Sequence, residues 1–158
     1  MLKKVSKRSA DASGLRFAIV ASEYNSEFVN PMLEAAQAFL AKAKASEVVV
    51  VRVPGAFEIP CPAMELADSG EFDAVICLGV ILRGKTTHAD NISEAVTVQL
   101  ARIQVDTGVP MIHEVLLLEN RLQAQERCVD PKHNRGLEAA GTAVKMAKVM
   151  NALFEQFP

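Results

Sequence analysis

The sequence predicts a three-layer α/β/α sandwich around a central parallel sheet. Four largely apolar runs read as buried strands, stretches of helical spacing separate them, and no repeat or linker marks off a second domain. Strands that are apolar at successive positions must be covered on both faces, and parallel neighbours need crossovers that helices supply. Right-handed crossovers then stack helices above and below the sheet.

Phe17-Ala18-Ile19-Val20-Ala21 is the first strand. Met32, Leu33, Ala36, Phe39 and Leu40 follow at three- and four-residue spacing, the stripe of an amphipathic helix. Pro31 fits the first turn of that helix with Asn30 as its cap; an earlier start would leave Pro31 inside a kinked helix. Val48 to Val53 is the second strand, and a helix runs from about Ile59 to Ala67. Ala74 to Leu78 is the third strand, followed by a helix from Ile92 to Val105 that the Thr107-Gly108 turn closes. Pro110 introduces a fourth strand through Leu118, and helices from about Arg121 and Arg135 complete the chain.

Residues 14–158 read as one domain, preceded by a polar, flexible segment 1–13. A chain of 158 residues can bury a core without staples. The net charge of −2 does not call for nucleic acid or an anionic membrane surface as partner. Lys3-Lys4 and Lys7-Arg8 lack the apolar run of a signal peptide, and no segment has the length of a membrane span. Cys61, Cys77 and Cys128 are odd in number and not at metal-ligand spacing, so a reduced cytoplasmic protein with no metal is expected.

In such sheets ligands bind at the carboxyl ends of strands. That rule selects Tyr24-Asn25, Pro54 to Glu58, Val80 to His88 and His113 to Asn120. Gly79 to Thr86 matches GxxxxGK[ST], the written pattern of a nucleotide-binding P-loop, and Glu119 is a candidate magnesium ligand. Val80-Ile81-Leu82 argues against that alternative, because bulky residues favour extended backbone and give no continuous N–H nest. Within Arg83 to His88, Gly84 permits close approach, Lys85 adds charge and Thr86 and Thr87 add hydroxyls. Thr87 with Asp90 resembles a capping box, and an anion can rest on such a helix start. His88 suits proton transfer near neutral pH.

Phe57 and Glu58 lie at the ligand edge, although Glu58 equally fits as a first-turn carboxylate. Tyr24 either caps the core or offers a ring for stacking. Arg127 is either a solvated helix residue or a bidentate phosphate ligand. His113 and Glu114 interrupt an apolar strand, as paired polar core groups or as a pocket wall, and His133 reads as a solvated turn residue.

An aromatic-Asn pair after the first strand, then VPGAFEIP, then G-V-I-L-R-G-x-T-x-H, then an arginine before a glycine-opened last helix, resembles the lumazine synthase family. The likeness covers roughly Gly14 to Met150. It implies a flavodoxin-like fold and a cofactor-free condensation in riboflavin biosynthesis. The substrates it implies are 5-amino-6-(D-ribitylamino)uracil and L-3,4-dihydroxy-2-butanone 4-phosphate, joined at sites between subunits of a homo-pentamer that some members build into a 60-subunit capsid. Carried over by motif, Tyr24 would stack on the pyrimidine, with Ala56, Phe57, Glu58, Val80, Ile81, Leu82 and His113 around it. Lys85, Thr86 and the neighbouring subunit's Arg127 would hold the phosphate, and His88 would transfer protons. A catalytically decayed flavin- or lumazine-binding shell protein is a further alternative. His113 stands where the family commonly has phenylalanine. The Asp130 to Gly136 turn lacks the glycine-rich connection of capsid-forming members, which points to a free pentamer.

Overall fold

A computed structural model describes residues 10–158. Four parallel strands form one sheet in the order β2-β1-β3-β4, with β1 at Arg16–Ser22, β2 at Glu47–Val53, β3 at Ala74–Leu82 and β4 at Met111–Leu118. Helices α1 (Ser26–Lys42), α2 (Pro60–Asp68), α3 (His88–Thr107) and α5 (Arg135–Gln156) make the crossovers and the final cover. A short α4 (Arg121–Ala124) runs into a π-helical turn at Gln125–Val129. The expected α/β/α sandwich is present, and its strand order is flavodoxin-like.

Alternation along the strands divides the core in two. Phe17, Ile19, Ala21, Ile76 and Leu78 face α1 and α5, whereas Ala18, Val20, Val75, Cys77 and Val115 face α2 and α3. Of the opening segment 1–13, residues 1–9 lie outside the described residues. Ala12 is fully buried, and its N–H donates to the Ala43 carbonyl at 2.7 Å.

Several boundaries differ from the sequence reading, each for a local reason. β3 continues four residues beyond Leu78, in register with β4 as far as Leu82 and Leu118. Gly79 looked like a strand end, but a Cβ there would lie only 3.1 Å from Ile59 Cδ1 and 3.2 Å from Ser22 Oγ and Val115 Cγ1, so the glycine makes room for packing. α1 starts at Ser26, not near Pro31, which sits inside the helix. Asn30 is therefore no cap; its Oδ1 accepts from Arg52 Nη1 at 2.9 Å. α3 begins at His88, four residues before Ile92.

Candidate active site

The turns after β1 and β2 are tied together by backbone. The Glu23 N–H donates to the Val53 carbonyl at 2.8 Å, and the Tyr24 N–H to the Pro54 carbonyl at 2.9 Å. Gly55 lets the Tyr24 ring come close, since a Cβ there would meet Tyr24 Cδ2 at 2.8 Å. Glu58 Oε2 accepts from the Gly55 N–H at 2.9 Å, so this carboxylate closes its own turn as well as facing the site. A 3-10 turn at Ala56–Glu58 then leads into α2, whose first residue is Pro60.

These turns, the end of β3 and the start of α3 enclose a cavity of about 650 Å³. Tyr24, Ala56, Phe57, Glu58, Val80, Ile81, Leu82 and His88 all line it, as does Asn25 beside Tyr24. Tyr24 and Phe57 are 66% and 61% exposed, so two aromatic faces stand free at its edge. Volume and lining suit a planar heterocycle held by apolar walls and a few polar groups. Asn91 and Ile92 also line the cavity, and sequence reasoning did not assign them to the site, whereas Gly55 lines it within the Pro54 to Glu58 turn that the strand-end rule selected. The signal for Asn91 and Ile92 was helical spacing from His88, masked because the helix was read as starting at Ile92.

Lys85 and Thr86 do not line the cavity; they stand on the exposed loop between Leu82 and His88, which do. Thr87 is the cap residue of α3 but makes no side-chain cap bond. The capping box with Asp90 is therefore not formed, because both Asp90 carboxylate oxygens accept from Arg83 Nη1 at 2.7 Å. Glu119, the candidate magnesium ligand, accepts from Arg83 Nε at 2.9 Å. Among the described residues, no group of three or more His, Cys, Asp or Glu side chains is placed to hold a metal.

His113 and Arg127 do not line the cavity of their own chain. His113 and Glu114 are not paired with each other, since successive residues of β4 point to opposite faces. The His113 Nδ1 accepts from the Val115 N–H at 3.2 Å, which leaves the proton of the neutral ring on Nε2, 2.8 Å from Thr97 Oγ1. Burial lowers the His113 pKa and favours that neutral ring. On the other face, Arg135 grips Glu114 through Nε at 3.1 Å and Nη2 at 3.2 Å. Burial nevertheless pushes the Glu114 carboxyl up to about 7 against the pull of Arg135. Arg127 lies in the π-helical turn, half-buried, and among the described residues its Nε meets no hydrogen-bond partner. His133 is in a turn as expected but half-buried, with Nδ1 enclosed, so it is not the solvated residue its sequence context suggested.

The model of the 6,7-dimethyl-8-ribityllumazine synthase family matches residues 14–151. The chain belongs to that family. A lumazine synthase of Chlorobium phaeobacteroides is 43% identical over 151 residues, 94% of this chain and 95% of the relative. Those of Thermococcus kodakarensis and Thermococcus gammatolerans are 38% and 39% identical, over 90% of this chain and 91% and 92% of theirs. Every segment around the cavity falls inside the span matched to the lumazine synthase family. The P-loop alternative is not favoured, as the bulky Val80-Ile81-Leu82 already indicated: Gly79 to Leu82 is a strand paired with β4, so its N–H groups form no continuous nest for a nucleotide phosphate.

Proposed function

We propose that the protein condenses 5-amino-6-(D-ribitylamino)uracil with L-3,4-dihydroxy-2-butanone 4-phosphate to 6,7-dimethyl-8-ribityllumazine. The observation that carries this reading is one cavity where the VPGAFEIP turn, the end of β3 and His88 meet, inside a chain of the lumazine synthase family. Tyr24 and Phe57 bracket the pyrimidine, with Val80, Ile81 and Leu82 along it. Ala56 and Glu58 line the ribityl side. Lys85 and Thr86 hold the phosphate, and His88 transfers protons at the reacting carbons.

The ring amine attacks the ketone, and proton transfers with loss of water give an imine. β-Elimination then releases phosphate, and ring closure with loss of a second water gives the lumazine. Holding both reactants side by side supplies much of the acceleration. Each site is completed by a neighbouring copy in a homo-pentamer, so that Arg127 and His113 serve the adjacent chain's cavity. Light scattering reads that assembly and separates a pentamer from a 60-subunit shell. Three free thiols and small soluble substrates suit the cytoplasm.

Incubation with both substrates, followed by lumazine absorbance, tests the activity. Formation of lumazine supports it. ATP binding without lumazine would restore the nucleotide reading, and lumazine binding without turnover would mark a decayed shell protein.

A further inference from the structure

We propose that Arg83 is a positioning residue for the anion end of the site, acting by pairing with the two carboxylates that flank the Gly84–Thr87 loop and offsetting part of their charge. The inference rests on Lys85 and Thr86 being the phosphate end. Arg83 is the first residue after β3, and its N–H donates to the Leu118 carbonyl at the end of β4 at 2.8 Å. Its guanidinium then spans two elements. Nη1 reaches both Asp90 oxygens at 2.7 Å in the first turn of α3, and Nε reaches Glu119 Oε1 at 2.9 Å just past β4. Within the loop itself, the one side-chain hydrogen bond among the described residues is a long one, from the His88 N–H to Thr86 Oγ1 at 3.4 Å.

Asp90 and Glu119 carry two negative charges beside the stretch that would receive a phosphate dianion. Unpaired, they would repel it and oppose the favourable field of the α3 N-terminus. A planar guanidinium bonds both at once through separate nitrogens held in a rigid fork, a geometry that a lysine ammonium does not pre-organise. The side chains of Arg83, Asp90 and Glu119 are 34%, 44% and 58% exposed, so these pairs add little to folding stability. Their consequence is local charge at the loop, not the integrity of the fold.

Calorimetric titration of the full chain with inorganic phosphate, alongside steady-state kinetics, tests this. Arg83→Gln should weaken phosphate binding and raise KM for the butanone phosphate about tenfold, as expected for one lost charge pairing near the site. KM for the pyrimidine and the melting temperature should hold. Adding Asp90→Asn and Glu119→Gln to that variant should restore most of the phosphate affinity, because no carboxylate is then left unpaired. An unchanged phosphate affinity in Arg83→Gln, or a loss that the triple variant does not restore, would overturn the proposal. Wild-type protein that binds phosphate but makes no lumazine would defeat the condensation reading, while the phosphate comparison would still decide the role of Arg83.

Discussion

Asn25 Nδ2 donates to the Val80 carbonyl at 2.7 Å, joining the turn after β1 to the end of β3. β1 and β3 are neighbours from which the sheet grows in opposite directions, so this bond crosses the mouth of the crevice where such folds bind ligands. Asn25 adopts the left-handed conformation, with φ of 57°, and donates to Val80 instead of capping α1. Asparagine tolerates that backbone better than other residues with a Cβ.

Two variants separate the conformation from the bond. Asn25→Gly keeps the left-handed backbone and loses the amide, whereas Asn25→Ala loses both. Alanine should cost about 1–2 kcal/mol more than glycine through backbone strain, a difference of several degrees in melting temperature for a domain of this size. Both should raise KM for the pyrimidine. Equal melting temperatures would show that the backbone demand is absent.

Gly55→Ala should displace the Tyr24 ring, because the new Cβ would lie 2.8 Å from Tyr24 Cδ2 and 2.9 Å from Glu58 Oε2. The expected result is a higher KM for the pyrimidine and little change in KM for the butanone phosphate. Steady-state kinetics with each substrate varied reads both. An unaltered pyrimidine KM would mean that Tyr24 does not stack where the cavity puts it.

His88→Ala should lower kcat by about 10²–10⁴-fold without abolishing turnover, since general acid–base catalysis supplies that share and proximity supplies the rest. Arg127→Ala should instead raise KM for the phosphate substrate. Wild-type kinetics in both variants would remove the two roles together.

Glu114 makes stability depend on pH. Its folded pKa of about 7 lies above its ordinary value of 4.5, because burial disfavours the ionised carboxyl more than Arg135 favours it. The native state therefore binds more protons than the unfolded state between those values. The associated stability is fully present below 4.5 and is lost as pH rises through about 7. Glu114→Gln should flatten that part of the melting-temperature profile. Parallel profiles for variant and wild type would contradict the assignment.

The architecture was legible because the strands of a doubly covered sheet are apolar at nearly every position. The cavity was legible in outline, because strand ends in such sheets carry the ligand and Tyr24, Phe57 and His88 fall there. What the sequence concealed was tertiary. The space filled by Ile59 and Val115 around Gly79 made a packing glycine resemble a strand end. The left-handed Asn25 and the Arg83 contact with Glu119 join elements far apart in the chain, and no spacing rule reaches across the sheet. His113 and Glu114 were ambiguous until their opposite faces supplied separate partners in Thr97 and Arg135.

The most direct measurement is the stoichiometry of phosphate and lumazine in a single turnover with enzyme in excess. The proposed chemistry requires one phosphate released for each lumazine formed, with phosphate appearing no later than lumazine and enzyme-dependent release only when both substrates are present. Enzyme-dependent phosphate release from the butanone phosphate alone, or no lumazine with both substrates bound, would contradict it.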